Sequence, residues 1–159
     1  MAHLYGATVV WTRGEQPFVD RLYSRAHRWL FDGGADVPAS SSPLVVPLPL
    51  SDASGVDPEE AFVASLASCH MLFFLDFASR AGLLVDRYED KAEGRMGKNA
   101  QGRTWIEQVV LRPAVTLSRL GGGDPAGIDD LHHRSHDYCF IAHSVRSEVL
   151  VEPAPLLFA

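Results

Sequence analysis

The sequence predicts an α+β fold in which antiparallel sheets wrap two central helices, and three observations lead to it. A capped, almost wholly apolar helix occupies the middle of the chain from Asp57 to Gly82. Segments of strand character, bounded by turn residues, flank it on both sides. Near the C-terminus Asp124-Pro125 repeats the cap-plus-proline start of the central helix. The expected order is two strands, a helix, two strands, a helix and a strand. With 159 residues, 47% of them hydrophobic, and no break in composition, one domain over residues 1–159 is expected.

The first element reads as a hairpin. Tyr5 to Trp11 is rich in valine and aromatic residues, Arg13-Gly14-Glu15-Gln16-Pro17 is turn chemistry, and a second strand is expected from about Phe18 to Phe31. A period of two along that strand sorts Tyr23, Arg25, His27, Trp29 and Phe31 onto one face. Arg25 among large rings either stacks and reaches water or, if buried, needs an anionic partner. Asp32-Gly33-Gly34 marks a turn, and the Pro-rich stretch from Pro38 to Ser54 is an extended connection with one short strand at Leu44 to Val46. The serines Ser40 to Ser42 could border a site.

The central helix starts on a strong signal. Asp57 is a good N-cap, Pro58 suits the first helical position, and Glu60 stands three residues after the cap, as in a capping box. From Ala61 to Ala78 the run is nearly all apolar, so the helix is expected to be central and covered on most sides. Its length, about 36 Å, would allow a membrane span. Ser65, Ser68, His70 and Asp76 interrupt the run without flanking basic clusters, which favours a soluble core helix, with Arg80 the local partner for Asp76. Cys69 lies in its interior on a stripe with Ser65, Leu72 and Asp76.

After Gly82 a long strand signal from Leu83 to Met96 turns at Gly97 to Gly102 and returns from Arg103 to Leu117, a second hairpin. A second helix is expected from Pro125 to about Ala142, carrying Cys139, and a last strand from Val145 to Glu152. Two helices packed on one sheet can bring two thiols to disulfide distance.

Composition narrows the function. A net charge of −6 with no stretch concentrating Lys and Arg argues against nucleic acid or an anionic membrane as partner. The N-terminus lacks a basic segment followed by an apolar run, so a cytoplasmic location is expected. Two cysteines 70 positions apart make no disulfide scaffold, and in a reducing cytosol such a pair is more often catalytic or redox-active than structural. A lone interior cysteine is otherwise a small buried hydrophobe.

The residues Asp57-Pro58-Glu59-Glu60, Ala67-Ser68-Cys69 ten residues after Glu59, and Cys139 late in the chain resemble the OsmC/Ohr family of thiol-dependent hydroperoxide reductases. The stretch from Tyr23 to Trp29 with Phe31-Asp32-Gly33-Gly34 resembles the OsmC-like branch, and Phe140 stands where relatives usually carry proline after the second cysteine. The resemblance implies an OsmC-like fold, an intertwined homodimer, and reduction of organic hydroperoxides without a cofactor or a metal. It implies Cys69 as the peroxidatic thiol, Cys139 as the resolving thiol, Glu59 as the site carboxylate and an N-terminal arginine as its cationic partner. Arg25 is the choice for that arginine, with Arg13 second. Tyr23, His27, Trp29 and Phe73 are the expected substrate contacts. The reductant would be an external dithiol, a lipoyl group or a small thiol.

Physical chemistry gives these roles a reason. A thiol of ordinary pKa, about 8.5, is a poor nucleophile at neutral pH and needs a nearby positive charge. Cys69 lies too far along its helix for the dipole to serve. Glu59 and Cys69 are about 15 Å apart along one straight helix and point roughly 80° apart. Either Glu59 leaves the first turn or it comes from a second subunit, and the second is expected, with sites at the subunit boundary.

Two other readings stay open. His132, His136 and Cys139, with His133 and His143 nearby and Cys69 and His70 to complete the set, have spacing that can ligate zinc. Alternatively, the aromatic face could form a pocket for small apolar ligands beside inert cysteines. His27 and His70 read as hydrogen-bonded structural histidines or as groups that tune the thiolate.

Overall fold

Helix α1, Pro58–Arg80, starts and stops where its signals place it. In the computed structural model, which describes residues 3–159, Asp57 Oδ1 accepts the Glu60 N–H at 2.8 Å and Glu60 Oε2 accepts the Asp57 N–H at 3.2 Å, a reciprocal capping box. At the far end Gly82 takes φ +73, a left-handed conformation that glycine adopts without a side-chain clash. The Leu83 N–H then returns to Ala78 O and the Gly82 N–H to Ser79 O, which closes the helix as a Schellman motif. Asp57→Ala removes a nearly buried cap and should lower unfolding stability by about 1–2 kcal/mol, read from the urea midpoint at unchanged m-value. An unchanged midpoint would show that the box adds nothing.

The chain divides into two compact units, Met1–Ala61 and Phe62–Ala159. In the first, β1 (Ala7–Val10), β2 (His27–Phe31) and β3 (Asp36–Ala39) form an antiparallel sheet in that order, with Val9 opposite Trp29 and Trp29 opposite Val37. The strand expected from Phe18 is confined to His27–Phe31. Arg21 sits at φ +67 with its N–H on Phe18 O, and a left-handed residue cannot continue a strand. Leu44 to Val46 is a turn instead of a strand, because the N–H groups of Val45 and Val46 both bond to Ser42 O. The pairing partner lies earlier, in β3, which the tight turn at Gly33-Gly34 brings back onto β2.

The second unit holds the rest of α1, two three-stranded sheets and helix α2 (Ile128–Tyr138). Its strands are β4 (Val85–Asp90), β5 (Glu93–Lys98), β6 (Thr104–Leu111), β7 (Pro113–Leu117), β8 (Glu148–Val151) and β9 (Leu157–Phe158). The single long hairpin expected over 83–117 is split: β5 pairs β6 in one sheet and β4 pairs β7 in the other. The break falls at Arg112, whose N–H leaves the ladder for Asp90 Oδ1 at 2.7 Å and whose guanidinium reaches Glu93 at 2.8 Å. The sheets are mixed and not purely antiparallel, since β8 runs parallel to β6 and β9 parallel to β7. Parallel pairing needs a long crossover, and the segment through α2 supplies it before β8.

Two apolar clusters fix α1 in this unit. Phe74, Phe77 and Ala78 pack with Val115 and Leu117 of β7 and Leu131 of α2, while Leu66 packs with Val109 and Leu111 of β6. Burying one such side chain is worth about 1.5–3 kcal/mol, so this stripe outweighs the weak periodicity of the helix sequence. The expectation of cover on most sides is corrected on the opposite flank, where Leu72 is 61% exposed. Asp76 and Arg80 form the i,i+4 ion pair at 2.9 Å on the same flank. By length and composition α1 would also suit a membrane span.

Candidate functional site

Cys69 is half-buried on α1, and Cys139 is buried; both are free thiols. Cys139 does not lie inside the second helix as expected. Helix α2 ends at Tyr138, and Cys139 caps it in extended conformation with its N–H turned back to His136 O. The Ala142 N–H donates to Cys139 Sγ at 3.4 Å. Burial, and then the Cys69 thiol beside it, push the Cys139 thiol up to about 11. At neutral pH it keeps its proton and can donate it to a neighbouring sulfur. Phe73, one turn beyond Cys69, meets Phe140 edge-on at 5.1 Å between centroids, and Phe140 is 70% exposed. Phe140, directly after Cys139, thus contributes an aromatic wall beside Phe73.

The first unit contains a cavity of about 500 Å³. Trp11, Phe18 and Tyr23 make an aromatic wall, with Phe18 and Tyr23 stacked at 4.8 Å and Trp11 edge-on to Tyr23 at 5.4 Å. Arg25, His27 and Glu59 supply polar groups, and Ser40 and Ser41 line it as well. Tyr23 and Arg25 are not on a strand; they precede β2, yet their side chains reach the same cavity as His27. The Arg25 guanidinium carbon lies 3.8 Å over the Tyr23 ring, and its Nη1 donates to the carbonyl oxygens of Arg21, at 3.0 Å, and Tyr23. Among the described residues no ion pair joins Arg25 to Glu59, so its charge is not neutralised by a carboxylate within the chain. Arg13 instead bonds to Gln16 O on the exposed turn and is absent from the lining.

His27 has its tautomer set by its neighbours. Trp29 Nε1 can only donate, so the His27 Nε2 at 2.9 Å accepts and Nδ1 donates to Arg25 O at 2.8 Å. Trp29 does not line the cavity and acts on it through His27. Trp11 and Phe18 were not singled out as site residues from sequence. The turn that carries Phe18 back over Trp11 is irregular and has no periodic signal.

The histidines of α2 do not assemble the zinc set. Among the described residues no group of three or more His, Cys, Asp or Glu is arranged to hold a metal ion. His132 turns instead to His70, Nδ1 to Nε2 at 3.2 Å, with the two rings parallel to within 6° and both buried. Burial holds both rings neutral, with pKa values lowered to about 4; His132 and His136 add to the effect at His70. Helix α1 continues unbroken through both Glu59 and Cys69, so Glu59 stays in the first turn.

A family model described as OsmC-like protein matches residues 51–154. An OsmC-like protein of unknown function from Vibrio cholerae is 48% identical over 96% of this chain and 100% of its own, with a TM-score of 0.92. An organic hydroperoxide resistance protein from Elizabethkingia anophelis shares the fold at 16% identity, covering 100% of this chain and 99% of its own, TM-score 0.68. One from Legionella pneumophila does so at 14% identity, covering 99% and 100%, TM-score 0.65. No curated protein sequence matches the chain.

Proposed function

The chain belongs to the OsmC-like family, and on that premise we propose that it is a cysteine-based peroxidase that reduces organic hydroperoxides. The pair of free thiols carries the proposal, because Cys69 acts directly on the buried Cys139, the neighbour a two-cysteine peroxidase needs. In this reading Cys139, raised to about 11, stays a thiol until the second step, and Cys69 attacks.

The Cys69 thiolate takes the distal oxygen of the hydroperoxide, the O–O bond breaks, and the leaving alkoxide gains a proton to become an alcohol. Cys139 then attacks the resulting sulfenic sulfur; a Cys69–Cys139 disulfide forms and water leaves. An external dithiol, a lipoyl group or a small thiol, restores both thiols by exchange. Arg25 is the proposed cation for the thiolate and the peroxide oxygens, and Glu59 the carboxylate that orients a guanidinium fork. The reading includes an intertwined homodimer with Glu59 coming from a second subunit, sites at the subunit boundary, and a reducing cytoplasm that recycles the disulfide. The apolar and aromatic wall of the cavity favours alkyl over hydrogen peroxide. A larger rate constant with hydrogen peroxide would reverse that preference.

Intact mass after one equivalent of an alkyl hydroperoxide tests the chemistry. Wild type should lose about two mass units, Cys139→Ser should gain one or more oxygens, and Cys69→Ser should not change. An unchanged wild type removes the peroxidase reading.

A further inference from the structure

A second cavity, of about 530 Å³, lies in the unit Phe62–Ala159, and neither cysteine lines it. Val115 of β7, Val151 of β8 and Leu156 give it apolar walls, and Asp129, His132 and His133 of α2 add polar groups. His132 is only 3% exposed; its ring stacks on Phe74 at 4.3 Å between centroids, and its Nδ1 is taken up by His70. Its Nε2 has no protein partner among the described residues, yet it is not sealed from solvent, so this is the nitrogen presented to the cavity.

The protons of the pair can be placed. His70 Nδ1 is buried without a partner. A proton there would be an unsatisfied buried donor, which is rarer and costlier than an unsatisfied acceptor. His70 therefore carries its proton on Nε2 and donates to His132 Nδ1. A neutral His132 must then carry its own proton on Nε2. Burial keeps both rings neutral, so at His132 the cavity has an N–H donor that is uncharged and held in place by the His70 hydrogen bond and the Phe74 ring.

We propose that this cavity binds a small uncharged molecule with an apolar body and a carbonyl group, whose oxygen accepts from His132 Nε2–H. The neutral His132 offers an anion no counter-charge, and the Asp129 carboxylate, beside His133 in the same lining, repels one. An ammonium group would meet a donor where it needs an acceptor. The volume suits a ligand at the small end of ordinary binding sites. This site is separate from the peroxidase reading and does not rest on it.

Titrating the whole chain with acetophenone, ethylbenzene and benzoate, followed by the imidazole ¹⁵N–¹H correlations, tests the proposal. Acetophenone should shift the His132 Nε2 resonance, and both ethylbenzene and benzoate should bind more weakly. His132→Phe keeps a ring on Phe74 and removes the donor; it should weaken acetophenone roughly tenfold and leave ethylbenzene unchanged. Ala154→Trp, a filling substitution at an exposed residue of the lining, should abolish binding of both without disturbing the His pair. Acetophenone that leaves the His132 resonance unmoved, benzoate that binds more tightly than acetophenone, or unchanged acetophenone affinity in Ala154→Trp overturns it.

Discussion

Arg25→Gln should slow sulfenate formation at Cys69 by about 10²–10³-fold, measured as the second-order rate constant with an alkyl hydroperoxide in stopped flow. The guanidinium is held by two carbonyl oxygens and the face of Tyr23, none of which cancels its charge, so it is left free for the role proposed for it, stabilising negative charge on sulfur and peroxide oxygens. Fold stability should change little, because the same contacts are half-exposed. Arg25→Lys should recover part of the rate, as a point charge without the planar fork. Arg13→Gln should stay within about twofold of wild type, since Arg13 bonds only to its own turn. If Arg13→Gln is the slow variant and Arg25→Gln is not, the two assignments exchange.

Acid should destabilise the protein well above the carboxylate range. His70 and His132 titrate near 4 in the folded chain, against an ordinary value of 6.5. Below pH 6.5 the unfolded chain binds protons that the folded chain refuses, so stability falls as pH drops from about 6.5 toward 4 and levels off below it. At 1.36 kcal/mol per unit, the two rings together should cost roughly 3–6 kcal/mol across that window. Asp90, raised by burial, opposes this by gaining stability as it protonates at lower pH. Urea midpoints at pH 7 and pH 4.5 measure the loss, and His132→Phe, which removes one of the two rings, should reduce it by about half. Equal midpoints in the wild-type protein would remove the buried pair as the cause.

The sequence by itself determined the elements whose signals are local. The capping box at Asp57 and Glu60, the stop at Gly82 and the ion pair of Asp76 with Arg80 each depend on residues within four or five positions, and all are legible as spacing. The cavity residues were legible only in part. Tyr23, Arg25 and His27 were grouped by a strand period that the backbone does not follow, and they meet because an irregular segment and the start of β2 turn toward the same space.

Tertiary structure alone decided the rest. Whether residues 83–117 form one hairpin or two sheets depends on Arg112 leaving the ladder for Asp90, and parallel pairing of β8 with β6 depends on the crossover through α2. The α2 histidines carry metal-like spacing, but His132 is committed to His70 on another helix, 62 residues away in sequence. Such choices are made by burial: a polar atom removed from water must find a partner, and the partner is whichever group the packed chain brings within about 3 Å, a fact no local pattern encodes.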